Sequence, residues 1–240
     1  MESLQATLWI YRTSLSRSLD RLAGNWGVIF APLAYGAILA IAAVVLSPFG
    51  FLGRMVVTAV VAACASSALY LIENIVGGSK VVLNDFVKGF SVYLWEILTI
   101  GFILWLPMTL LSRIAYSTSE GPLILLLVQL ILYGVLNAVP ELIYQSRVSG
   151  LALLSASYEF IVENWLEWLL PNLLIVGAAY LVKDGLMALV AYVPFYLWSF
   201  LIPFAFGLFL IFLMIFRGFL FSELSGTTRR SRAYRYRARS

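Results

Sequence analysis

Trp26-Gly27-Val28-Ile29-Phe30-Ala31-Pro32-Leu33-Ala34-Tyr35-Gly36-Ala37-Ile38-Leu39-Ala40-Ile41-Ala42-Ala43-Val44-Val45-Leu46-Ser47 runs for 22 residues without a charged side chain. A helix of that length rises about 33 Å, enough to cross roughly 30 Å of hydrocarbon. Comparable runs follow over residues 55–76, 91–112, 122–140, 165–182 and 195–216. Pro, Gly and Ser punctuate the connections at Ser47-Pro48-Phe49-Gly50, Gly77-Gly78-Ser79 and Ser117 to Pro122. The expected fold is therefore all-α, a polytopic integral membrane bundle of six transmembrane helices. A short apolar helix after Lys183-Asp184-Gly185, reaching Tyr192, leaves seven spans as the alternative.

Composition supports the same class. Of 240 residues, 62% are hydrophobic and 12% charged, and the mean hydropathy is +0.95, whereas soluble domains carry about 25% charge. Barrel strands would alternate over about ten residues, and these runs do not.

Orientation follows from the basic residues. With both termini inside, the inner segments hold Arg12, Arg17, Arg21, Lys80, Lys88, Arg147, Arg217, Arg229, Arg230, Arg232, Arg235, Arg237 and Arg239, against Arg54, Arg113 and Lys183 outside. Thirteen against three obeys the rule that short cytoplasmic loops collect positive charge. The expected location is a bacterial cytoplasmic (inner) membrane, with both termini cytoplasmic. Met1 to Asn25 has no apolar core of a signal peptide, so it is expected to be retained.

That leading segment reads as an interfacial helix. Leu4, Leu8, Tyr11, Leu15, Leu19 and Leu22 share one helical face, with Arg17 and Arg21 away from it. Leu151, Leu154, Tyr158, Ile161 and Trp165 do the same before the fifth span. Such helices lie in the headgroup plane. They also resemble one another. Asp20 to Pro32 and Glu159 to Pro171 share an acid, an Asn-Trp pair and a proline at identical spacing, with a weaker third copy over residues 84–90. Either the fold is three helical hairpins on a common plan, as in many transporters, or each interfacial helix simply needs an aromatic anchor where it turns into the membrane. Residues 1–224 are expected to form one transmembrane domain, and residues 225–240 a flexible basic cytoplasmic tail.

Gly24-Asn25-Trp26 and Glu163-Asn164-Trp165 carry a resemblance to uncharacterised bacterial six-helix membrane proteins related to the membrane domain of some glycerophosphodiester phosphodiesterases. The resemblance implies the membrane fold and no catalytic residue, since the phosphodiesterase domain is absent.

The absence of histidine removes the commonest metal ligand and general base, and no phosphate loop or nucleophile elbow is present. No cofactor, metal or catalytic residue is expected. Ionisable residues beside spans are the default functional candidates. Here they are Glu73, Glu96, Glu141 and Glu167, placed near the cytoplasmic interface with Lys80, Lys88, Arg147 and Arg217 as available partners. Gly36 with Ala40, and Ala59 with Ala63 and Ser67, form small-residue stripes suited to packing the first two spans together, and Cys64 beside them is expected to be inert. Pro32, Pro107, Pro171, Pro194 and Pro203 lie in or beside spans and kink them. The tail arginines Arg229, Arg230, Arg232, Arg235, Arg237 and Arg239 suit anionic headgroups. Arginine alternating with tyrosine also suits RNA, but the expected partners are anionic lipid and other membrane subunits, not nucleic acid. The expected role is a non-enzymatic accessory or scaffold subunit of a membrane assembly. The alternative is a transporter or lipid-handling protein whose first and fifth spans flank a cavity holding Glu96 or Glu167.

Overall fold

The computed structural model describes residues 2–146, 148–189, 192 and 194–238. Among these, all regular structure is helical: α1 (Glu2–Gly24), α2 (Ala31–Leu46), α3 (Gly50–Val76), α4 (Leu83–Val92), α5 (Leu94–Ala115), α6 (Gly121–Val135), α7 (Val139–Gln145), α8 (Leu151–Leu189), α9 (Phe195–Leu224) and α10 (Arg229–Arg237). Five stretches are long and apolar enough to cross a membrane, namely Trp26–Val76, Leu94–Ala115, Gly121–Gln145, Leu151–Ala188 and Phe200–Leu224. The first is 51 residues long and contains two of the expected spans. A 3-10 turn at Ser47–Phe49 separates them, followed by Gly50 at φ 56°, a left-handed conformation that a residue without Cβ adopts freely. Beyond the turn α3 doubles back on α2, and Tyr35 Oη donates to Ser67 Oγ across the pair at 2.9 Å.

Two boundaries differ from the sequence expectation. Lys183-Asp184-Gly185 is not a turn: α8 runs through it to Leu189, with Lys183 paired to Asp184 at 3.4 Å. The fourth span breaks at residues 136–138, where the chain turns and Pro140 then starts α7. A proline at the first turn of a helix loses only an amide that had no partner there.

The lead-in helices organise the bundle. A kink of one shape separates each from its span: Asn25 at φ −125°, ψ 33°, Tyr93 at φ −116°, ψ 11°, and Asn164 at φ −124°, ψ 21°. Asn25 and Asn164 stabilise theirs identically, with Nδ2 donating to the carbonyl four residues back, of Arg21 at 3.0 Å and Phe160 at 3.2 Å. An exposed tryptophan follows each kink, Trp26, Trp95 and Trp165, the side chain favoured at the membrane–water boundary. The third kink falls after the weak third copy over residues 84–90 and carries tyrosine where the others carry asparagine.

Three hairpins result, α2 with α3, α5 with α6, and α8 with α9. Each lead-in helix packs on the second helix of the preceding hairpin: α4 on α3, the first half of α8 on α6 and α7, and α1 back on α9. The arrangement is thus a closed ring of three. At α4 the approach is close enough that Ser66 Oγ donates to Gly89 O at 2.6 Å and Ser67 Oγ to Phe86 O at 2.8 Å.

Packing decides which helix faces meet, and it corrects the small-residue stripe of α2. The leucine stripe of α1 stays outward at Leu8, Leu15 and Leu19, while Ala6, Ile10, Ser14 and Ser18 are buried. Small side chains allow close approach to α9 and α10, leaving the leucines on the outer surface. Gly36 and Ala40 also face outward, so Tyr35 on Ser67, and not a glycine stripe, joins α2 to α3.

Candidate functional site

The three hairpins line a half-open apolar chamber of about 520 Å³. Ala31 and Tyr35 of α2, Ala68 of α3, Ile100 of α5, Ile143 of α7 and Met214 of α9 contribute to its wall, so all three hairpins take part. Alanines on α2 and α3 leave the space, because bulkier residues there would fill it. Its volume falls within the 300–1,000 Å³ usual for ligand pockets. The Tyr35 hydroxyl is spent on Ser67, and no ionisable carboxylate or amine lines the wall. A second hollow of about 460 Å³ shares Val28, Ala31 and Leu71 with it and reaches the kink at Asn25 and the loop at Val81. There Asn25 Oδ1 accepts from Val81 N at 2.8 Å, and Arg21 Nη1 donates to Gly78 O at 3.1 Å, tying α1 to the loop before α4.

The charged candidates lie outside the chamber. Glu141, on α7, is fully buried, whereas the sequence placed it in reach of headgroups. Arg217 of α9 grips it through Nε to Oε1 at 2.8 Å and Nη2 to Oε2 at 2.9 Å. The guanidinium also donates to Asn137 O at 2.5 Å and lies 5.2 Å from the centre of the Trp168 ring, whose Nε1 donates to Asn137 Oδ1 at 2.9 Å. In a low-dielectric interior such a cluster persists only when every member is satisfied.

A second cluster closes the kink of α8. Arg229 of α10 holds Glu167 through Nε to Oε1 at 2.7 Å and Nη2 to Oε2 at 3.0 Å, and Arg232 Nη1 donates to Asn164 Oδ1 at 2.9 Å. Tyr11 Oη donates to Glu167 O at 2.9 Å, bringing α1 into the same knot. Burial, followed by the Glu167 carboxylate, pushes the Tyr11 phenol up to about 12. Hydrogen bonding to Glu167 raises the Arg229 pKa, while burial lowers that of Arg232. Arg17 and Arg235 share Glu223 at 2.8 Å and 3.4 Å.

Over its described length the tail is therefore a helix docked on α1 and α8, and its acidic partners on the bundle explain why. Of its arginines, Arg229, Arg232 and Arg235 engage carboxylates or amides of the bundle, Arg230 is exposed, and Arg237 lies in the last turn of α10. Arg239, like Arg147, lies outside the described residues. Glu73 accepts from Tyr93 Oη at 2.5 Å, and Glu96 sits half-buried in the first turn of α5. Neither Glu96 nor Glu167 lines the chamber.

The chamber wall is apolar apart from the Tyr35 hydroxyl, which suits it to an apolar ligand. The charge clusters act as clamps. Sequence reasoning missed the wall because each of its residues is an ordinary apolar residue of a span. It also missed Asn137 and Trp168, whose meeting depends on the break at residues 136–138. Comparison with protein-family models, with curated proteins and with solved structures returned no match, so the resemblance to the phosphodiesterase-associated membrane domain rests on the two Asn-Trp elements alone.

Proposed function

We propose that this protein is a non-enzymatic, lipid-handling membrane protein whose central chamber accommodates an acyl chain. The observation that carries the reading is the chamber itself: about 520 Å³, walled by three hairpins, with almost entirely apolar lining. Lipid is the apolar molecule at hand in a bilayer. The adjoining hollow at Asn25 offers a way out toward the basic end of the bundle. The positive-inside tally supports setting that end in the cytoplasm of a bacterium, where the exposed Arg230 of α10 would meet anionic headgroups.

Filling the chamber tests this. Ala68→Phe and Ala31→Phe place rings in the space, and lipid retained by the protein in mild detergent is then measured by native mass spectrometry. Loss of at least tenfold in bound lipid, with unchanged helix content, is expected. Unaltered lipid retention in both variants would rule the reading out.

A second reading, an accessory or scaffold subunit of a membrane assembly, is favoured by how little of α5 the chain covers itself. Only 6% of its most apolar stretch is buried. Native mass of the detergent-purified protein tests it, and a lone monomer would sink it.

A further inference from the structure

Amides in the spanning stretches are hydrogen-bonded within the protein, with one exception. Asn74 donates to Tyr70 O, Asn137 accepts from Trp168, Gln145 donates to Gly218 O, Asn164 to Phe160 O and Asn172 to Trp168 O. Gln129 of α6 is exposed and bonds to no described residue. It stands eight residues beyond Gly121, about 12 Å along the helix axis and near the middle of a roughly 30 Å core. A side chain with two methylenes does not reach headgroups from that depth. An amide facing hydrocarbon leaves two donors and an acceptor unmet, a cost of several kcal/mol per group in lipid.

Its surroundings are shaped for a helix partner. Pro122, Leu126, Gln129 and Tyr133 are all exposed and recur at four-three-four spacing, the seam of left-handed helix pairs. We infer that α6 is a self-association surface on which Gln129 meets Gln129 of a second copy of this chain. The amide selects that occupant because it is self-complementary. A twofold axis along the membrane normal sets both side chains at one depth, where each donates an N–H to the other's carbonyl. The inference rests on the assembly reading and is independent of what fills the chamber.

Single-molecule photobleaching of labelled protein in liposomes reads the stoichiometry. The unaltered chain gives two-step traces, Gln129→Leu weakens the dimer about tenfold, and Gln129→Asn retains it. In a Cys64→Ala background, oxidation cross-links Gln129→Cys between copies but not Ile124→Cys, which lies on the opposite exposed face of α6. A dimer indifferent to Gln129→Leu overturns this surface and leaves assembly standing. A monomeric unaltered chain overturns both. A different co-purifying chain that Gln129→Leu releases overturns the second copy as occupant.

Discussion

Removing Arg217 tests how the buried core tolerates charge. Glu141 is 0% exposed and receives two hydrogen bonds from Arg217, whose own side chain is 14% exposed. Arg217→Met strands the carboxylate in the interior, which costs about 3–5 kcal/mol. Glu141→Leu is milder, about 1.5–3 kcal/mol, because Arg217 keeps Asn137 O, the face of Trp168 and some water. The double variant buries neither charge. It loses mainly the partner of Asn137 O and so falls about 1–3 kcal/mol below the unaltered protein. The singles then sum to at least about 4.5 kcal/mol against at most about 3 in the double, a coupling of 1.5 kcal/mol or more. Equilibrium unfolding in mixed micelles, followed by tryptophan fluorescence, supplies all four corners of the cycle. Costs that simply add would refute the idea that the pair is satisfied as a unit.

Three further outcomes are expected. Gly89→Ala places a Cβ 2.8 Å from Ser67 Cα, a backbone contact that cannot swing aside, so α4 should lift from α3 with a loss of about 1–3 kcal/mol and faster amide exchange over residues 83–92. Glu167→Gln removes the charge that holds Arg229, and protease sensitivity should rise within α10 while the spans stay protected. The folded-state pKa of Tyr11 lies above its unfolded value near 10. Its neutral form therefore stabilises the fold below pH 10, and that stability drains away as pH rises toward about 12. Tyr11→Phe should flatten this part of an alkaline stability profile, and an unchanged profile would mean the phenol does not report on folding.

Hydropathy settled the class of this protein because a 22-residue run without charge has few stable places other than a bilayer. The six spans, the lead-in helices and the Asn-Trp kinks were also legible, since each depends on residues near in sequence. Asn25 and Asn164 matched in the text of the sequence before their backbone angles matched in space. The third kink at Tyr93 was not legible, because its support comes from Ser66 on another helix rather than from an asparagine of its own. The acids stood out in the sequence, but their partners were decided by distance in the fold: Glu141 meets Arg217 across 76 positions and Glu167 meets Arg229 across 62. The same holds for the tail, whose arginines look free until the acids facing them are known. The chamber is the furthest from the sequence of all, being an absence of side chains at the meeting of helices from three hairpins. Apolar residues that fill a core and apolar residues that line a hollow have the same composition, and only the tertiary arrangement tells them apart.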